Sequence, residues 1–197
     1  MTLVTDRVAE TLSDTVTPQG VVAVVRGDET GLAEVVAAAP RLLAVLVDVA
    51  DPGNAGTVIR TADAVGADAV VLAGESVDPL NPKCVRATAG SLFHLPVVRG
   101  ADTLAAATTL RGAGVRLLAT TLDSGADDLD SSAVQAVLAG PVAWLFGNEA
   151  HGLPEPVVAA ADAQVRIPIR GAAESLNLAA AAAICLYATA RAQQAGV

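Results

Sequence analysis

The chain has 197 residues, 53% of them apolar, and a formal charge of −9. That length holds one well-buried domain with room for a short appendage, and its longest apolar runs, residues 42–49 and 178–183, fall short of the roughly 20 residues that span a bilayer. Trp, Tyr and Phe contribute only four residues, so Ala, Val, Leu and Ile must fill the core, which suits strands packed closely against Ala-rich helices.

Residues 1–10 carry Asp6, Arg7 and Glu10 and no apolar h-region, so no secretory signal is expected, and a soluble, cytoplasmic protein follows by default. Val8 and Leu12 give a short helical pattern that stops at the turn signal Thr17-Pro18-Gln19-Gly20. From there, apolar β-type runs alternate with helical segments: VVAVV from Val21, LLAVLVDV from Leu42, AVVLA from Ala69, VRLLAT from Val115, VAWLF from Val142 and QVRIPI from Gln164. Continuous apolar strands separated by helices predict an α/β fold with a mostly parallel sheet covered by helices on both faces. Between the strands, helices are predicted over 54–65, 82–89 and 101–110, each followed by glycine, and a final Ala-rich helix over about 178–192. Cys84 is expected on a helix near the surface and Cys185 on a buried one. Their spacing suits neither a disulfide frame nor a zinc site.

Three polar segments follow buried strands, and in an open α/β sheet ligands gather at the carboxyl ends of strands. The first is DPGNAGTVIRTA, residues 51–62. Asn54 reads most simply as a helix cap, and Arg60, nearly two turns later, is expected on roughly the same side of the helix. GxGxxG is absent, which argues against a dinucleotide fold. The second is LFGNEAHGLP, residues 145–154, whose glycines around Glu149 suggest a backbone passing close to a ligand. His151 has no partner at catalytic or metal spacing. The third is IPIRGAAESLNLA, residues 167–179, where Ser175 and Asn177 are both good N-cap residues and the helix N–H groups can bind an anionic or carbonyl group.

In this order, at the ends of three buried strands, the segments resemble the motifs NxGxxxRTA, FGxExxGL and IPxxGxxxSLNxxxA of the SpoU/TrmH type of RNA 2'-O-ribose methyltransferase, in the SPOUT superfamily. Every fixed position is present, and the likeness runs from about Gly20 to the C-terminus. The segment 81–98, with RATAGSL at 86–92, also looks like that family's stretch after its second strand.

The resemblance implies a C-terminal trefoil knot, a homodimer whose site borrows residues across the interface, and transfer of a methyl group from S-adenosylmethionine to a ribose 2'-hydroxyl. Ribosomal RNA is favoured as substrate. Transfer RNA, or a non-catalytic relative that binds RNA or S-adenosylmethionine, is the alternative. The residues it implicates in catalysis are Asn54, Arg60, Glu149, Ser175 and Asn177, with Asn54 and Glu149 positioning Arg60. Thr120, Gly147, Ile167 and Leu176 are implicated in holding the cofactor, and Arg60, Lys83 and Arg86 in contacting RNA; no metal is called for. A guanidinium with a pKa above about 12 is a poor base, so Arg60 is assigned orientation and charge stabilisation before proton removal. Residues 1–19 resemble the linker or remnant of an N-terminal RNA-recognition domain, and residues 20–197 the catalytic domain. The net negative charge is unusual for an RNA enzyme; Arg60, Lys83, Arg86 and Arg99 fall together mid-chain and offer a local basic face.

Overall fold

The computed structural model describes residues 2–12, 20–25 and 30–195. In chain order the elements are α1 (Asp6–Thr11), α2 (Leu32–Ala37), β1 (Leu42–Val47), α3 (Pro52–Val65), β2 (Ala69–Ala73), α4 (Pro82–Thr88), a 3₁₀ turn (Ser91–Phe93), β3 (Val97–Ala101), α5 (Thr103–Gly112), β4 (Arg116–Thr120), β5 (Asp127–Asp128), α6 (Ser132–Leu138), β6 (Val142–Phe146), α7 (Glu155–Ala160), β7 (Ala163–Arg166) and α8 (Leu178–Ala195). The strands form one seven-stranded sheet in the order β3-β2-β1-β6-β4-β7-β5. Every pairing in it is parallel.

Strand residues alternate between two cores, as period-two geometry requires. Leu42, Ala44 and Leu46 of β1 join Ile59 of α3, Leu138 of α6 and Leu186 of α8 on one face. Leu43, Val45 and Val47 join Val35 of α2, Leu110 of α5 and Val157 of α7 on the other. Helices therefore cover both faces, as the continuous apolar strands predict. The central strands β1 and β6 are fully buried, and Trp144 of β6 donates through Nε1 to the Thr189 hydroxyl of α8 at 2.8 Å. That bond satisfies two polar groups in the deepest part of the core.

Where α3 crosses α4 the backbones nearly touch. A Cβ on Gly56 would lie 2.5 Å from the Cys84 carbonyl oxygen and 2.6 Å from Ala87 Cβ, so only glycine fits. Cys84 is thus wholly buried, not near the surface as expected, and burial pushes its thiol up to about 11.

Other expectations also differ from the structure. The valine run from Val21 is not a strand: Val21 and Val24 are 84% and 101% exposed, and among the described residues none pairs with it. Apolar β-formers without a ladder partner have nothing to fix them in a sheet. Strands β3 and β5 escape sequence pattern because VVRGA contains a glycine and β5 is two aspartates. The short helices α2, α6 and α7 offer too few turns for a period to emerge. Helix α5 starts at Thr103, capped by Asp102, and its chain reversal uses Gly114 at φ 81° instead of Gly112. The predicted turn over residues 17–19 lies outside the described residues.

Candidate active site

The three polar segments converge at the carboxyl ends of β1, β6 and β7. Helix α3 begins with Pro52 at its first position, which makes Asp51 the cap: its Oδ1 accepts from the Asn54 N–H at 2.7 Å. The expected cap, Asn54, is thereby released, and its side chain faces the other two segments. Asn54 Nδ2 donates to Glu149 Oε1 at 2.9 Å, and Asn54 Oδ1 accepts from Asn177 Nδ2 at 3.0 Å. One amide thus joins one residue from each motif. Glu149 Oε2 has no hydrogen-bond partner among the described residues.

Asn177 in turn caps α8, its Oδ1 accepting from the Ala179 and Ala180 N–H groups at 2.9 and 3.3 Å. Ser175 makes no cap. Lys83, at the start of α4, pairs with Asp51 Oδ2 at 3.1 Å. The Asn54 N–H first, and the Lys83 ammonium second, hold the Asp51 carboxyl below the usual carboxylate range.

Glu149 sits on a pinched turn. Asn148 and Gly152 exchange both backbone hydrogen bonds, at 3.0 and 2.8 Å. A Cβ on Gly147 would fall 2.2 Å from the Gly152 carbonyl carbon. The close approach inferred from the flanking glycines is therefore made by the backbone of the turn itself.

Beside this turn lies a cavity of about 660 Å³, within the usual range for small-molecule sites. Thr120, Gly147, Ile167 and Leu176 all line it, as do Glu149, Ser175 and Asn177. Thr120 at the end of β4 is oriented by its hydroxyl donating to the Leu145 carbonyl at 2.9 Å. Phe146, Val165 and Ile169 add apolar wall. Apolar walls with a few converging amide, hydroxyl and carboxylate groups are the pattern of a small-molecule site. No group of three or more His, Cys, Asp or Glu among the described residues is arranged to hold a metal.

Arg60 does not join this network. Six residues at 3.6 per turn carry it about 120° around the helix from Asn54, onto the exposed face shared with Thr57. Among the described residues Arg60 makes no hydrogen bond or ion pair with Asn54 or Glu149, so within a single chain this pair does not hold it. Arg86 is exposed on α4. The signal for Asp51 as the cap is Pro52 at the first helical position. Asn148, Leu122 and Ile169 also belong to the site, and the sequence carries no local signal of their roles.

Fold and site together define an open, all-parallel α/β protein with a small-molecule cavity and a Glu-Asn-Asn link at the carboxyl ends of its strands. The chain belongs to the SpoU rRNA Methylase family, whose model matches residues 41–187. It is 40% identical over 177 residues to the 23S rRNA (guanosine(2553)-2'-O)-methyltransferase RlmP of Bacillus subtilis, an alignment covering 89% of this chain and 66% of that one. The chain thus spans just under two thirds of this curated relative. The crystal structure of an rRNA methyltransferase from Sinorhizobium meliloti superposes with a TM-score of 0.83 at 37% identity, covering 95% of this chain and 70% of that one. The SpoU methyltransferase AviRb from Streptomyces viridochromogenes, solved in complex with the cofactor AdoMet, superposes with a TM-score of 0.67 at 37% identity, covering 80% and 62%.

Proposed function

We propose that the protein transfers a methyl group from S-adenosylmethionine to a ribose 2'-hydroxyl of RNA, with ribosomal RNA as the substrate. The observation that carries this reading is the Asn54 amide joining Glu149 and Asn177 at the edge of a cavity lined by Thr120, Gly147, Ile167 and Leu176. Family membership supports it, as do the names of the relatives for the choice of ribosomal RNA.

When bound, S-adenosylmethionine supplies a methyl group activated on a sulfonium. The chain's own residues supply alignment and charge, which dominate a transfer of this kind. Phe146, Ile167 and Leu176 hold the apolar part of the cofactor and exclude water, while Gly147 and Thr120 present backbone and hydroxyl groups to its polar parts. Asn54 fixes one oxygen of Glu149 and leaves the other open to receive a hydrogen bond at the reacting centre. Ser175 and Asn177 shape the loop that closes the site. Arg60 steadies the acceptor ribose and its phosphate, a role supported by its exposure; Lys83 and Arg86 add phosphate contacts from α4.

A homodimer is part of the same proposal. The exposed face of α8 carries Ile184 and Tyr187, 41% and 60% exposed, and such apolar groups on an outer helix suit a partner. Arg60 would then serve the partner's cavity or its RNA. Residues 20–197 are taken as the catalytic domain, residues 1–19 as a linker or remnant of an N-terminal RNA-recognition domain, and the segment after Ile167 as the threaded part of a trefoil knot. No helix among the described residues is long and apolar enough to cross a membrane, and a cytoplasmic location fits an RNA substrate.

The test is incubation with radiolabelled S-adenosylmethionine and separate pools of ribosomal and transfer RNA, followed by mapping of the labelled nucleotide. Label on a ribosomal ribose is the expected result. Label on a base overturns the ribose assignment, label confined to transfer RNA overturns the choice of substrate, and cofactor binding without transfer to either RNA marks a non-catalytic relative.

A further inference from the structure

The ladder between β1 and β6 ends at Leu46 and Phe146, each pair differing by 100 in number. One further alternation brings Asp48 opposite Asn148. There the backbone cannot continue, because the Asn148 N–H is committed to the Gly152 carbonyl that closes the turn. The side chain takes over: Asn148 Nδ2 donates to the Asp48 carbonyl oxygen at 2.7 Å, while its Oδ1 accepts from the Ala150 N–H at 2.9 Å.

The acceptor is held independently of the turn. Asp48 adopts the left-handed region at φ 54°, which is unfavourable for a non-glycine residue and persists only where surroundings enforce it. Those surroundings are visible. Asp48 Oδ1 accepts from the Glu75 N–H at 2.8 Å, the Asp48 N–H donates to the Ala73 carbonyl at 3.2 Å, and a Cβ on Gly74 would lie 2.2 Å from that carboxylate oxygen. The end of β1 thus offers a carbonyl fixed by β2.

We propose that Asn148 is a positioning residue, tying the pinched turn to β1 so that Glu149, the next residue, stays in register with Asn54. Both ends of the Asn54–Glu149 bond are then indexed from one point, since the chain leaves Asp48 for Asn54 in one direction and Asn148 for Glu149 in the other. The inference rests on the role given to Glu149 above.

Serine or aspartate at this position can still accept from the Ala150 N–H, but serine is too short to reach the Asp48 carbonyl and aspartate lacks the donor. In N148S, kcat for methyl transfer should fall about 10- to 100-fold, the range for small misplacements of reacting groups, with the KM for RNA little changed. The double variant N148S/E149Q should be no slower than E149Q alone. Wild-type turnover in N148S, or losses that multiply in the double variant, would overturn the proposal. Wild-type turnover in E149Q instead removes the role given to Glu149, whatever N148S does. A purely structural asparagine would lower Tm and the folded fraction, leaving kcat per folded molecule unchanged. Should N148S and N148D both fail to fold, the carboxamide protons of Asn148 in the native protein decide: slow exchange with solvent is expected, and exchange at the rate of a free asparagine refutes the tie.

Discussion

Asn54 and Glu149, 95 positions apart in the chain, meet through a hydrogen bond of 2.9 Å from Nδ2 to Oε1. Replacing Asn54 with Ala removes this bond and the one from Asn177 together. Because capping falls to Asp51, helix α3 should persist, with a loss of about 1 kcal/mol in stability. Turnover should drop at least roughly tenfold while the Kd for S-adenosylmethionine moves little. Parallel thermal melts, calorimetry and methyl-transfer assays separate these effects.

Arg60 stands apart from that link, on the open face of α3. Arg60→Ala should abolish methyl transfer and leave cofactor affinity nearly unchanged, because its assigned contacts are with the acceptor. Normal turnover by the variant would remove Arg60 from the mechanism.

Leu176 lines the cavity and is 38% exposed. Leu176→Asp places a charge in the wall of the cavity that Phe146 and Ile167 also line, and the cofactor should bind at least about tenfold more weakly, since an unpaired charge is costly beside apolar groups. Calorimetric titration gives the answer directly. An unaltered Kd would move the cofactor away from this wall.

Asp51 provides a pH signature. Its folded pKa is depressed, so the stability it contributes is present above the unfolded value of about 3.9 and is lost as pH falls through the lower folded value. Asn at this position still caps a helix but cannot pair with Lys83. Tm of D51N should therefore lie below that of the native protein at pH 7, and the two should converge as pH drops below about 4. A gap that persists at pH 2 would assign the effect to capping geometry.

Gly56 lies where α3 and α4 touch. Gly56→Ala should destabilise the fold by about 1–3 kcal/mol through overpacking, despite the better helix propensity of alanine. Chemical denaturation would measure it.

The sheet was largely legible because β1, β2 and β6 are unbroken apolar runs and β4 has an apolar centre, residues 117–119, and only strands buried on both faces need such runs. Val21 to Val25 has the same residue types and is no strand, since composition reports what a segment tolerates and not whether an edge awaits it. Thr120, Gly147, Ile167 and Leu176, which the family resemblance groups together, line one cavity. The spacing alone does not place Arg60, because six residues at about 100° each turn it roughly 120° from Asn54. The tie from Asn148 was invisible for a different reason: its acceptor is a backbone carbonyl 100 residues away, and no side-chain type advertises that.

The pinch between Gly147 and Gly152 also bears on redesign. Any side chain added at Gly147 meets backbone atoms that cannot rotate away, so that wall of the cavity is closed to enlargement by substitution. Bulkier cofactor analogues would have to be accommodated at other lining residues. Leu122, 69% exposed, and Ile169 line the same cavity from outside the turn that carries Glu149 and can be shortened without touching it.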